Sequence, residues 1–217
     1  MDTATYKRCV NKTLTANAKP AKTGLRALAR KVPTTNLSYG LVGFADAMGE
    51  VREVLHDYIL GFQFDTGLRP ALREKLGEAI FALTIASKTL KIRVPANKRM
   101  LKVVGMTNTA ALLRLDKIST QMLAAFKVAY QGMDFDTEAL KALVNEAWPL
   151  LYGLCGSMAD ATPAQVMGVN IAAMAERMEA GTFNVELLRN RDKDAELDDV
   201  REAFQRQIKA TEPTIPA

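Results

Sequence analysis

The sequence has few of the residues that hold disulfide-rich domains and zinc sites together. Its 217 residues include two cysteines, Cys9 and Cys155, and a single histidine, His56. Two cysteines so far apart do not form the cross-linked framework of a small secreted domain, and with one histidine they are too few for a structural zinc site. Any metal that this chain binds is therefore expected to have oxygen ligands.

Long apolar segments are also lacking. No uninterrupted apolar run approaches the ~18 residues that read as a membrane-spanning helix, and the first residues, Met1-Asp2-Thr3-Ala4, lack the apolar segment of a secretion signal. We therefore expect a cytoplasmic protein with no membrane partner. Its apolar fraction of 48% is ordinary for a globular protein and is enough for a sizeable core.

The alternation of apolar and polar residues that is typical of half-buried strands is absent, whereas apolar residues recur at a spacing of three to four. This spacing predicts an all-α fold. The helical segments are 40–60, 69–90, 110–130, 138–158 and 163–179. Thr66, Thr137 and Thr162 are expected to cap the second, fourth and fifth helices. Trp148 and Cys155 lie on an apolar helix face and are expected in the core.

An internal repeat relates the first four helices. A shift of 71 residues aligns the turn at 61–66 with the turn at 132–137 and keeps Leu83 over Leu154 in the helices that follow. These matches predict two tandem helical units packed as a pseudo-dimeric bundle, and chance similarity between two amphipathic helix pairs is the alternative. The expected parts are an N-terminal unit, a second unit, and a charged C-terminal helix and tail, over residues 1–105, 106–190 and 191–217.

Two acidic pairs stand at helical spacing inside apolar stretches of the first unit. Glu50 and Glu53 share one helix face, as do Glu74 and Glu78. Carboxylates brought together on facing helices repel one another unless a cation neutralises them, so the pairs predict a divalent metal site. A solvated helix surface is the alternative interpretation of the same spacing.

A glycine precedes one glutamate of each pair, at Gly49 and at Gly77. Glycine inside a helix is disfavoured by roughly 1 kcal/mol relative to alanine, so two of them indicate the close approach of a helix or a ligand. The four glutamates fall, at the shift of 71 residues, over Gln121, Ala124, Asn145 and Pro149. A metal is therefore expected in the first unit alone.

The acidic pairs belong to an ordered series of motifs. In chain order the series is Gly40-Leu41-Val42, Gly49-Glu50-Val51, Gly61, Arg73-Glu74-Lys75-Leu76-Gly77-Glu78, Asn170-Ile171-Ala172, Arg177, Gly181, Phe183 and Asn190-Arg191-Asp192. The series resembles the MazG-like all-α nucleoside triphosphate pyrophosphohydrolases, and its C-terminal part resembles the phage-encoded members. Segment 6–13 is similar to the first helix of that family. In that family a Glu-x-x-Glu helix and a Glu-Glu-Leu-Gly-Asp helix bind magnesium.

The resemblance implies that Glu50, Glu53, Glu74 and Glu78 bind Mg²⁺ and that Glu53 and Glu74 are catalytic, while leaving open which carboxylate acts as the base. The reaction that it implies is Mg²⁺-dependent cleavage of a ribo- or deoxyribonucleoside triphosphate to the monophosphate and pyrophosphate. The basic residues that it places near the substrate phosphates are Lys75, Lys88, Lys91, Arg93 and Lys98.

Two departures from the family pattern leave a second function open. Ala47 stands where the first acidic motif begins with Glu, and Lys75 stands where the second motif has its second Glu. A lysine ammonium would repel a divalent ion, or would substitute for it by pairing with the carboxylates. The chain is then either a hydrolase or a catalytically inactive MazG-like protein that binds a nucleotide, a nucleic acid or a host protein.

Positive charge is concentrated in parts of the sequence, which has a net charge of +5. Residues 1–31 contain eight basic residues against the single Asp2, and no acidic residue lies between Ala79 and Leu115. A nucleotide or a nucleic acid fits such clusters, and a solvated face is the alternative. Nucleic acid is not favoured, because no aromatic residues interleave with the clusters to stack single-stranded bases. Single-unit relatives commonly dimerise, so a homodimer is left open.

Overall fold

The computed structural model describes residues 34–59, 67–96, 102–130 and 135–176, which form five α-helices and no strand. The helices are α1 Thr34–Ile59, α2 Leu68–Thr89, α3 Asn108–Tyr130, α4 Thr137–Ser157 and α5 Pro163–Glu176. Each predicted helical segment corresponds to one of them, so the all-α prediction is confirmed for this part of the chain. Within these ranges no helix is both long and apolar enough to cross a membrane.

The N-cap of helix α4 lies one residue earlier than predicted. The side chain of Asp136 accepts a hydrogen bond from the backbone N–H of Ala139 at 2.9 Å, and Thr137 is already the first helical residue. The prediction of Thr137 as the cap is therefore wrong. Aspartate and threonine both cap helices, and the sequence does not show which of two neighbours will have the non-helical backbone that a cap needs.

Helix α5 begins where the sequence predicts. Thr162 Oγ1 accepts a hydrogen bond from the backbone N–H of Gln165 at 3.2 Å, and Gln165 Oε1 accepts one from the backbone N–H of Thr162 at 2.8 Å. This reciprocal pair satisfies two N–H groups that have no partner inside the helix. The predicted cap at Thr162 is confirmed, and the one predicted at Thr66 lies outside the described residues.

Helices α1 to α4 form a bundle in which α1 contacts α2 and α3, and α4 contacts α2 and α3. Helix α5 packs mainly against α2 and also contacts α4. One apolar core joins all five helices, because each presents side chains at a spacing of three to four to the same interior. Fully buried examples, one from each helix in order, are Leu41, Leu76, Leu115, Leu151 and Val166.

Trp148 lies in this core, as predicted. Its Nε1 donates a hydrogen bond to Ser87 Oγ at 3.1 Å, so α4 and α2 are joined by a polar contact inside the apolar interior. The indole packs edge-on against Tyr152, with 5.2 Å between the ring centroids. Burial of an aromatic ring stabilises a core when its N–H has a hydrogen-bond partner. Core packing therefore explains the presence of Trp148 at this position.

The helix bounds agree with the shift of 71 residues found in the sequence. Ile59 ends α1 and falls over Tyr130, which ends α3. Leu83 and Leu154 are aligned by the same shift and are both buried in the core. The division of the chain into two duplicated units, and their packing as a MazG-like pseudo-dimer, stay predictions.

Cys155 is fully buried in α4, as predicted, and burial raises the pKa of its thiol to about 12. Alkylation requires the thiolate and access to it. We expect Cys155 to remain unmodified by iodoacetamide at a pH of about 8 in the folded protein, and to react once urea unfolds the chain. Peptide mass spectrometry distinguishes it from Cys9, and rapid alkylation of Cys155 in the folded protein would contradict this prediction.

Candidate functional site

Four charged side chains of α1 and α2 meet in one place, which we call the acidic cluster: Glu50, Glu74, Lys75 and Glu78. The Nζ of Lys75 lies 3.0 Å from Glu50 Oε2, 3.4 Å from Glu74 Oε1 and 3.5 Å from Glu78 Oε2. The three carboxylates therefore converge on a single ammonium group.

The spacing of the residues accounts for this convergence. In α2, Glu78 is four residues after Glu74 and three after Lys75, and these separations place side chains next to one another on a helix surface. Glu50 reaches the same point from α1, which packs along α2. The structure thus brings together three of the four glutamates that the sequence predicts at the site.

The acidic cluster is shielded from solvent. The exposed fraction is 1% for Glu74, 5% for Lys75 and 8% for Glu50, and 18% for the side chain of Glu78. Moving an ion out of water costs several kcal/mol unless opposite charges and hydrogen bonds compensate. The Lys75 ammonium contributes to that compensation, since it lies within 3.5 Å of all three carboxylates.

Lys75 is held in its charged form by its neighbours. Burial lowers the pKa of its amine. The negative charges of Glu78, Glu74 and Glu50, together with the hydrogen bond to Glu50, raise the pKa by more than burial lowers it, so the pKa is above the usual lysine value. At neutral pH the side chain is an ammonium.

The other acids of α1 face elsewhere. Glu53 is exposed, and the ion pairs of Lys75 do not include it. Asp46 is also exposed. Ala47 lies one turn before Glu50 and is buried in the apolar core. The position that holds an acid in the family therefore contributes only a methyl group here.

Helix α5 lies directly against the part of α2 that carries the cluster. A Cβ atom added at Gly77 would lie 2.8 Å from the Cβ of Asn170 and 2.9 Å from the carbonyl oxygen of Val166, which leaves no room for a side chain. The close approach predicted at Gly77 is confirmed. Among the described residues, an added Cβ at Gly49 would meet nothing nearer than Arg52 Nη2 at 3.9 Å, so no described helix approaches there, and the approach of a ligand stays a prediction.

Of the described basic residues predicted at the substrate phosphates, only Lys75 lies in the acidic cluster. Lys98 lies outside the described residues. Lys88 is ten residues after Glu78 in α2, which corresponds to about 15 Å along the helix axis at 1.5 Å per residue. Lys91 and Arg93 follow the end of α2 and are exposed.

The donors of the acidic cluster suit a hard cation, since magnesium prefers carboxylate oxygens. The arrangement does not suit one. Across the described ranges, no three His, Cys, Asp or Glu side chains form a group that could hold a metal ion. The Nζ of Lys75 lies at the point where such an ion would have to meet Glu50, Glu74 and Glu78. As arranged, these residues fit an ammonium and not Mg²⁺.

Comparison of the chain with protein-family models, with curated proteins and with solved structures finds no match. The resemblance to the MazG-like pyrophosphohydrolases therefore depends on the sequence motifs alone. The helical bundle does not indicate a function, because one fold can serve many different activities. The acidic cluster is the most specific feature that the described residues offer.

Proposed function

We propose that this chain is a catalytically inactive MazG-like helical protein, in which the Lys75 ammonium takes the place of the divalent metal. The observation that supports the proposal is the position of Lys75 Nζ, within 3.5 Å of three carboxylates from two helices. An ammonium and Mg²⁺ are attracted to the same oxygens and repel each other, so the cluster does not hold both.

The burial of the cluster disfavours replacement of the Lys75 ammonium by Mg²⁺. A lysine at the surface could move aside with little loss of stability, since exposed ion pairs contribute only about 0–1 kcal/mol. Lys75 is 5% exposed and its donors are engaged by Glu50, Glu74 and Glu78. To admit a metal, the ammonium would have to leave all three partners.

The same charges disfavour a triphosphate at this point. A nucleoside triphosphate is strongly negative, so the carboxylates of Glu50, Glu74 and Glu78 would repel its phosphates if no metal lay between them. An inactive protein of this kind acts by binding a partner. With a net charge of +5, the chain would attract an anionic partner to its basic surfaces rather than to the acidic cluster.

A Mg²⁺-dependent nucleoside triphosphate pyrophosphohydrolase is the second candidate function. The convergence of Glu50, Glu74 and Glu78 favours it, because carboxylates from two helices rarely meet without a functional reason. In this case Lys75 would have to swing out of the cluster when substrate and metal bind. The two candidates therefore differ in where the Lys75 side chain lies in the working protein.

Pyrophosphate release distinguishes the two functions. We expect the protein to release no pyrophosphate above background from a panel of ribo- and deoxyribonucleoside triphosphates with Mg²⁺, because Lys75 occupies the cation position. A coupled phosphate assay after pyrophosphatase treatment measures the release. The matched control is Glu78→Gln, purified identically, which removes one carboxylate of the cluster. Release by the unchanged protein that disappears in Glu78→Gln would refute the inactive assignment and support the hydrolase.

A further inference from the structure

The last turn of α2 and the chain that joins it to α3 have a charged surface that is separate from the acidic cluster. Four of its described basic side chains are exposed, and none lies within 4 Å of a carboxylate of the described residues. We call them the basic segment: Lys88, Lys91, Arg93 and Lys102. No acidic residue occurs in the sequence from Ala79 to Leu115 to neutralise them locally.

The end of α2 brings the first two of these residues together. The backbone N–H of Lys91 donates to the carbonyl oxygen of Lys88 at 3.2 Å, and that of Ile92 donates to Ser87 at 2.8 Å. Lys91 has a left-handed backbone, with φ of 58°. These are the hydrogen bonds of a Schellman turn, which ends a helix and reverses the chain. Lys88 and Lys91 therefore sit on one hydrogen-bonded turn.

Two contacts then hold the rest of the segment against α4. Tyr152 OH donates to the carbonyl oxygen of Pro95 at 2.8 Å. Val103 packs closely against Gly153: a Cβ atom added at Gly153 would lie 3.0 Å from the Cα of Val103. Because Tyr152 and Gly153 are neighbours in α4, the described chain on both sides of 97–101 contacts the same part of that helix. Arg93 is two residues before Pro95, and Lys102 is next to Val103, so both basic residues are close in sequence to these contacts.

We propose that the basic segment binds the phosphate backbone of double-stranded nucleic acid. A duplex presents closely and regularly spaced negative charges, and it is bound by releasing counterions when fixed cations approach. No Phe, Trp or Tyr occurs between Phe81 and Phe126, so the segment offers phosphate contacts and no platform for stacking unpaired bases.

A nucleotide fits this surface less well than a duplex. Lys88 is about 15 Å along the axis of α2 from Glu78, so it is not part of the acidic cluster. A single free nucleotide presents one short group of charges, whereas a duplex spans the whole segment. The surface does not depend on whether the acidic cluster is active, so the pyrophosphate assay and a binding assay give separate answers.

The test uses the full chain and a fluorescent DNA duplex of about 20 base pairs, with anisotropy measured at salt concentrations from about 50 to 200 mM. In Lys91→Glu/Arg93→Glu we expect at least a tenfold loss of affinity and a salt slope smaller by about two, one unit for each lost phosphate contact. The control is Lys117→Glu/Lys127→Glu, which makes the same charge change at exposed positions of α3. This variant should lose far less affinity for the duplex.

Three outcomes would overturn the proposal. The first is no binding of duplex by the unchanged protein at the lowest salt concentration. The second is an equal loss in the two double variants, which would mean that overall charge and not this surface attracts DNA. The third is displacement of the duplex by a nucleoside triphosphate at equal phosphate concentration, which would identify a nucleotide site. Circular dichroism of each variant excludes loss of the fold as the cause.

Discussion

Replacing Lys75 with methionine is expected to lower the free energy of unfolding by about 3–5 kcal/mol at neutral pH, the usual effect of removing one partner from a buried ion pair. Methionine is unbranched and fills similar space, but it leaves Glu50, Glu74 and Glu78 facing one another without the ammonium that now lies 3.0–3.5 Å from each. Urea unfolding followed by circular dichroism measures the difference.

Lys141→Met is the matched control for this change. Lys141 pairs with Glu138 three residues earlier in α4, at 2.7 Å, but the side chains are 33% and 80% exposed. A solvent-exposed pair of this kind contributes about 0–1 kcal/mol. The loss at position 141 should therefore be a small fraction of the loss at position 75. Equal losses would mean that the acidic cluster contributes no more than a surface ion pair.

Magnesium should restore part of the stability lost in Lys75→Met and leave the unchanged protein unaffected. A ligand that binds only the folded state adds about 2.7 kcal/mol when its concentration is a hundred times its Kd. Thermal unfolding with Mg²⁺, compared with NaCl at equal ionic strength, separates specific binding from screening. An equal rise in the Tm of the unchanged protein would show that Lys75 does not exclude the metal.

The helices could be predicted from the sequence because the spacing of apolar residues is a local property. The same spacing places those residues on the helix face that packs into the bundle. The convergence of the glutamates is only partly local. Glu50 and Glu53 are three residues apart, which rotates Glu53 by about 60° around the helix axis relative to Glu50. Whether that rotation turns a side chain toward α2 or toward solvent depends on how α1 is oriented in the bundle. In the structure Glu53 faces solvent.

The role of Lys75 depended equally on tertiary structure. The sequence allowed the ammonium either to repel a metal from the site or to pair with the carboxylates. Its neighbours in α2 supply two of its partners, but Glu50 comes from another helix, and α1 and α5 both pack against α2. Depth of burial and the distance to Glu50 therefore could not be read from spacing alone.

Gly40→Ala is expected to lower the free energy of unfolding by about 1–3 kcal/mol, because it inserts a methyl group where two helices touch. A Cβ at this position would lie 2.7 Å from the backbone nitrogen of Ala86 and 3.0 Å from the carbonyl oxygen of Ala82. Both atoms belong to the backbone of α2. Because the added methyl group would meet backbone atoms, no change of side-chain rotamer could relieve the overlap. Helices α1 and α2 would have to move apart where they touch. Urea unfolding measures the loss.

Gly49→Ala, in the same helix, should have the opposite sign. In the part of the chain that the structure describes, the nearest atom to an added Cβ is Arg52 Nη2 at 3.9 Å, at the end of a flexible side chain. Alanine should therefore stabilise α1 by up to about 1 kcal/mol through its higher helix propensity. Because both variants replace glycine with alanine inside α1, the propensity gain is common to them. The difference between them measures the cost of crowding the α1–α2 contact at Gly40. If both variants are stabilised alike, the helices do not approach at Gly40 as closely as described.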